Sequence, residues 1–199
     1  TTQNTATITV TGVNDAPVVS AITDSTTEDA ASFDTDLLSA QTDPDGDTLS
    51  VSGSSITAVD GNNESYNLPD GTASVTNGTL SVDPTKLNGL DDGESVDITV
   101  TYDVSDGTTT TQNTATITVT GVNDAPVAAD DAANVFVGTE FTGNAISGSM
   151  TGADFDLDAN TMLTVSALGD SPIADTDGAS ATAISDYGTL VVGRDGSVS

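Results

Sequence analysis

The chain has 199 residues, 31 Asp and Glu against two basic residues, no His, no Cys, and a formal net charge of −29 at pH 7. That balance argues against nucleic acid as a partner, since a polyanion gains nothing from phosphate neutralisation, and it removes His-based catalysis, disulfides and thiolate metal sites. With 35% hydrophobic residues, 4% aromatic and no Trp, a core must be built from thin layers of Val, Ile, Leu and Ala, which suits a β-sandwich of about 100 residues.

In chain order, the first feature is also the strongest. Thr1–Val18, TTQNTATITVTGVNDAPV, recurs unchanged at Thr110–Val127, an offset of 109 residues. This period is too long for a solenoid unit and fits one whole Ig-sized domain. Residues 1–13 are therefore expected to be the last strand of a preceding repeat, 14–125 a complete domain, and 126–199 a second, incomplete copy. The opening residues carry neither a basic region nor an apolar signal core, and no stretch reaches the ~20 apolar residues of a membrane helix. An internal piece of a longer protein, without membrane insertion in this segment, is the expectation.

Asn77-Gly78 separates Ala73 and Val75 from Leu80 and Val82, and such a dipeptide favours the positive-φ turn of a β-hairpin. Val96, Ile98, Val100, Tyr102 and Val104 alternate with Asp and Thr, as do Ala115, Ile117 and Val119 with Thr, across an Asp106-Gly107 turn. Period two with one apolar face predicts strands, and argues against the disorder that extreme acidity can otherwise signal. In the second copy GTLVVG at Gly188–Gly193 matches GTLSVD at Gly78–Asp83, and MLTV at 162–165 matches TLSV at 48–51. No helix is expected. The fold class is all-β: tandem Ig-like β-sandwich domains of Greek-key type.

The acids are not evenly spread. Asp43, Asp45 and Asp47 lie in DPDGDTL, and Asp154, Asp156 and Asp158 in ADFDLDAN, both Asp-x-Asp-x-Asp. Calcium takes six to eight hard oxygen ligands at flexible distances, and a tight loop of alternating Asp can supply several. Asp-Pro-Asp-Gly is also an ordinary turn sequence. An EF-hand does not fit, because Thr48 and Ser54 stand where that loop needs Gly and the bidentate Glu. Further acids and amides flank strand ends: Asn14-Asp15, Glu28-Asp29, Asp91, Asp92 and Glu94, Asp106, and Asn123-Asp124. Loops gather at the two poles of a sandwich, so calcium between successive domains is the expected use.

The run YDVSDGTTTTQNTATITVTGVNDAP resembles the last strands and linker of cadherin-like repeats. TEDA, DPDGDTL, NGTLSV, GES and VSDG are similar to repeats of large bacterial surface adhesins of the RTX type, exported by type I secretion. The resemblance implies extracellular, calcium-stiffened extenders. It makes Asn123 (through its backbone oxygen) and Asp124 linker ligands, Asp154 and Asp156 ligands from the following loop, and Glu28 with Asp92 or Glu94 ligands from the preceding domain. At the upper junction it implies Asn14, Asp15, Asp43, Asp45 and Asp106. The chain departs from the cadherin pattern at Gly12 and Gly121, where the linker would begin with Asp, and in one more residue before the Pro.

The leading functional expectation is a calcium-bound structural extender of a cell-surface adhesin, active in adhesion or biofilm, whose partners are the neighbouring repeats. A calcium-dependent module binding a cell-surface or glycan ligand is the alternative, weakened by the scarcity of aromatic residues. Enzymatic activity is not expected: Asp pairs suit glycoside hydrolysis, but they are so abundant here that their presence selects nothing.

Overall fold

The computed structural model describes residues 3–136, 138–148, 150, 152–158, 160–185 and 188–199. It divides into two units: Thr1–Asn88 with Gly93–Gly121, and Gly89–Asp92 with Val122–Ser199.

The first unit is a two-sheet β-sandwich. Its strands are β1 (Ile22–Thr27), β2 (Phe33–Asp36), β3 (Ser50–Asp60), β4 (Ala73–Thr76), β5 (Thr79–Val82), β6 (Ser95–Ser105) and β7 (Thr110–Thr120). One sheet has the order β1-β7-β6-β3 and the other β2-β5-β4. All pairings are antiparallel except β1 with β7, which run parallel from Ile22↔Ala115 to Thr27↔Thr120. The strict alternation in β6 explains its central place, since Val96, Ile98, Val100 and Val104 are fully buried and Tyr102 nearly so. Ala115, Ile117 and Val119 of β7 are buried beside them, and Leu80 and Val82 supply the opposing sheet's inner face. Each such Val, Leu or Ile side chain contributes about 1.5–3 kcal/mol on leaving water.

The hairpin from β4 to β5 turns where the sequence places it. Asn77 and Gly78 have φ of 51° and 81°, the pair of positive values that a two-residue turn matched to strand twist requires. A bulge interrupts β3 between Ser52 and Ser54, and Gly53 takes φ of 52° there, a conformation that costs other residues energy. The polar run Ser52–Ser55 had hidden this long strand from its hydrophobic pattern. One short 3₁₀ turn, Pro84–Leu87, departs from the helix-free expectation. Proline at its first position fixes the φ it needs, and Leu87 anchors it in the core.

Inside the core runs a chain of hydrogen-bonded polar groups. The Tyr102 hydroxyl donates to Leu37 O (3.0 Å) and accepts from Asn113 Nδ2 (2.8 Å), which also donates to Ser20 O (2.9 Å). It ties β6 and β7 to the segments at Ser20 and Leu37, and this pairing is what makes burying the phenol and the amide nitrogen tolerable.

The second unit has shorter strands: β8 (Gly143–Asn144), β9 (Ala167–Leu168), β10 (Ser171–Pro172), β11 (Ser180–Ser185), β12 (Gly188–Gly193) and β13 (Ser197–Val198). They form a sheet of order β11-β12-β13-β8 and a β9/β10 pair. Ile173, Ala181, Val192 and Val198 form a small core, with Phe141, Met150, Val165 and Leu168 packed against it. Residues 162–165, matched in sequence to the start of β3, form no strand. In the first unit that stretch leads into a strand paired along its length with β6, and no comparable long strand is found among the described residues of the second.

Candidate metal centre

At one pole of the first unit, the acidic loop folds around its own first carboxylate. Asp43 Oδ1 accepts from the backbone N–H groups of Asp45 (2.9 Å) and Asp47 (3.3 Å), an Asx-type turn that points successive side chains to one side. Gly46, at φ of 80°, closes it. Asp43, Asp45 and Asp47 each bring a carboxylate oxygen within 4.8 Å of the others'. Such proximity costs on the order of 1 kcal/mol per pair even at water-like screening. Asp43 Oδ2 is buried with no hydrogen-bond partner.

The segment before Pro17 is tied to the same pole. Asp15 N–H donates to Asp45 Oδ2 (2.7 Å), and Asn14 Nδ2 donates to Asp106 Oδ2 (2.9 Å) and to Asp15 O (2.7 Å). Asp106 sits in the turn between β6 and β7 and also accepts from Thr108 N–H, Thr109 N–H and the Thr109 hydroxyl. The Asn14 amide, followed by the Thr109 donors, holds its carboxyl well below the usual carboxylate range. The first unit thus brings together Asn14, Asp15, Asp43, Asp45, Asp47 and Asp106.

At the other end of its sheets, Glu28 follows β1 and is fully buried, its N–H bonded to Thr120 O. Glu94 lies beside Gly121, whose N–H donates to Glu94 O (2.9 Å).

The second unit repeats the pole with a shifted correspondence. Asp156 Oδ1 accepts the Asp158 N–H (3.0 Å), and Asp158 Oδ2 accepts the Asp124 N–H (2.8 Å), the roles played by Asp43 and Asp45. The isolated bridge Val127↔Phe155 stands where Val18↔Thr42 stands in the first unit. The structural counterparts of Asp43 and Asp45 are therefore Asp156 and Asp158, one Asp later than the triplet alignment of the sequence gives. Asp154 instead caps the Ala129 N–H (2.8 Å). The place of Asp47 falls to Asn160, which donates through its backbone and its side-chain amide to Asp91. Reading the loops as Asp-x-Asp-x-Asp/Asn would have admitted Asn160 as a candidate, though that pattern fits the second loop in two registers.

Asn123 Nδ2 donates to Asp124 O (2.6 Å), as Asn14 does to Asp15. Asp124 and Asp158 bring carboxylate oxygens within 4.8 Å of each other. Asp158 is 5% exposed, and its Oδ1, like Asp156 Oδ2, is buried with no hydrogen-bond partner. Asp92 belongs to this unit's short Gly89–Asp92 segment and is exposed.

These donor sets are entirely oxygen, which suits a hard cation of the calcium or magnesium kind and not zinc. Buried carboxylate oxygens without donors are rare unless a cation completes them.

Residues 14–120 match the family model for the bacterial Ig domain. No curated protein matches the chain.

Proposed function

The chain belongs to the bacterial Ig domain family, whose domains often occur in surface or extracellular proteins and are typically non-catalytic, and from that premise we propose that it is a calcium-stiffened extender repeat of a secreted, cadherin-like adhesin of the RTX type. Among the described residues no helix is long and apolar enough to cross a membrane.

The observation that carries the proposal is Asp43. One of its oxygens organises the loop through two backbone N–H groups while the other is buried, donorless and among the carboxylates of Asp45 and Asp47. Calcium at that point would draw ligands from Asp43, Asp45 and Asp47, and from the tethered Asn14-Asp15 and Asp106. In the second unit Asp124, Asp156 and Asp158, with Asn123 and Asp154 close in sequence, would serve alike. At the opposite end of the first unit's sheets Glu28 and Glu94 are the acids available, and Asp92 stands close in sequence.

The mechanical consequence follows from Asn14 and Asp15. They precede the first strand, so an ion bound jointly by them and by the Asp43 loop fixes the direction in which residues 3–13 leave the domain. Repeated along a tandem chain, such fixation makes a rod able to hold an adhesive tip away from a cell surface.

Thermal melts in calcium, in magnesium and in chelator test the metal step. A cation at ~100 times its dissociation constant adds about 2.7 kcal/mol per independent site. A rise in Tm with calcium, reduced in Asp43→Asn, is expected; equal melts in all three media would refute the site. Small-angle scattering with and without calcium tests the stiffening, and superimposable profiles would refute it.

A further inference from the structure

The chain enters and leaves the first unit through the same linker sequence: VNDAPV precedes β1 at Val13–Val18 and follows β7 at Val122–Val127. In a tandem array any tension is therefore applied ahead of β1 and beyond β7, and these two strands are neighbours. They run parallel, from Ile22↔Ala115 to Thr27↔Thr120, and the Glu28 N–H adds a bond to Thr120 O (3.1 Å). Tension draws β1 by its first residue and β7 by its last. The two strands are thus pulled in opposite directions along their own length.

Direction decides how such a contact fails. Strands drawn lengthwise past each other load every bond of the ladder together, whereas strands drawn apart from one shared end lose their bonds one after another. The bonds of a parallel pair are evenly spaced, which divides the load among them. On its other side β7 is paired with β6 over all 11 of its residues, from Ser95↔Thr120 to Ser105↔Thr110, whereas β1 offers 6 residues. The β1 contact is therefore the first to give way. Its hold lies in the backbone, since Ile22 is the one large apolar residue of β1 and is only partly buried, while Asp24 and Ser25 are exposed. Just ahead of β1 the chain is secured again. Val18 and Thr42 exchange two backbone bonds (2.8 and 3.1 Å), and Ser20 O accepts from Asn113 Nδ2 of β7 (2.9 Å).

We propose that the β1–β7 pair is a mechanical clamp, through which the domain bears tension along the chain without unfolding. The proposal rests on the reading of the protein as a tandem extender but not on calcium, because the ladder is built from backbone bonds.

Forced unfolding of the full chain, in calcium and in chelator, tests this. The sequence has no Cys, so attachment points can be placed by substitution. Thr11→Cys with Ala128→Cys loads β1 and β7 lengthwise. Thr11→Cys with Thr108→Cys, in the turn ahead of β7, draws the same strands apart from a shared end; all three positions are exposed. Forced unfolding reads the unfolding rate, and the force is expected to be at least twofold higher in the lengthwise geometry in both media. Two prolines then locate the resistance. The alternation that sets the Glu28 N–H on Thr120 O also turns the Asp24 N–H toward β7, so Asp24→Pro is expected to lower the lengthwise force. The Ser25 N–H bonds the Asp24 carboxylate instead (2.8 Å), so Ser25→Pro on this edge strand is expected to keep it. Should Asp24→Pro not fold, the two attachment geometries decide alone. Equal forces in the two geometries in either medium, or equal effects of the two prolines, would overturn the proposal. Calcium melts that failed to show a metal site would leave this comparison standing, so the two readings fall separately.

Discussion

The sequence TTQNTATITVTG occurs twice in this chain and meets two fates. At 110–121 it forms a central strand whose Ala115, Ile117 and Val119 are fully buried, while at 1–12 the described residues form no strand and Ile8 and Val10 lie almost wholly in water. Identical local propensity therefore decides neither outcome. The difference lies in the partners, for β7 has β6 on one side and β1 on the other. The two GTL strands teach the same lesson, with Leu80 buried and Leu190 partly open.

The comparison can be broken by substituting paired positions. Ile117→Ala should destabilise the first unit by about 2–5 kcal/mol through lost burial and the cavity left behind, and Ile8→Ala by no more than ~0.5 kcal/mol, both read from urea titrations of the monomeric chain. Equal effects would mean that residues 3–12 are packed in solution. Leu80→Ala and Leu190→Ala sharpen the point within the two sandwiches. The first is expected in the same 2–5 kcal/mol range, and the second at about 1 kcal/mol, because much of Leu190 already faces solvent.

The long hairpin was legible because both of its strands alternate strictly, and the Asn77-Gly78 turn because its chemistry is local. The all-β fold followed from the same pattern. Strands β1 and β2 were not legible: ITDSTT and FDTD carry one large apolar residue each, and their pairing is set by β7 and β5. In the acidic loops, residue type was readable but register was not. Four extra residues separate Val127 from Asp156, compared with Val18 and Asp43, and only the backbone bridges Val18↔Thr42 and Val127↔Phe155 show which Asp answers to which.

Asn113 and Asn4 extend the pairing to a polar group. Asn113 is buried and donates to Ser20 O and to the Tyr102 hydroxyl, so Asn113→Ala leaves the Tyr102 hydroxyl without that donor and Ser20 O with the Gln41 amide at 3.1 Å, and should cost about 1–3 kcal/mol. Asn4 is exposed, and Asn4→Ala should leave the urea midpoint unchanged. A midpoint shift for Asn4→Ala would place residues 3–12 in a folded environment after all.

The smallest expected effect concerns the phenol at the centre of that network. Tyr102→Phe removes one hydroxyl, but Asn113 keeps Ser20 O and Leu37 O keeps a contact from Gln41 Nε2 at 3.4 Å, so the loss at neutral pH should be about 1 kcal/mol. Its signature is in the pH dependence. Burial pushes the Tyr102 phenol up, the Asp36 charge adds to the rise, and the Asn113 amide opposes it. A phenol whose pKa is higher folded than unfolded favours the protonated folded state. Its contribution is complete below the unfolded value of about 10 and is lost as pH climbs through the folded one. Wild type should therefore lose stability more steeply above about pH 10 than Tyr102→Phe does. Parallel stability curves would mean that the Tyr102 ring is far better hydrated in solution than its 1% exposure implies, and that the closed core which distinguishes the first unit from the second opens at high pH.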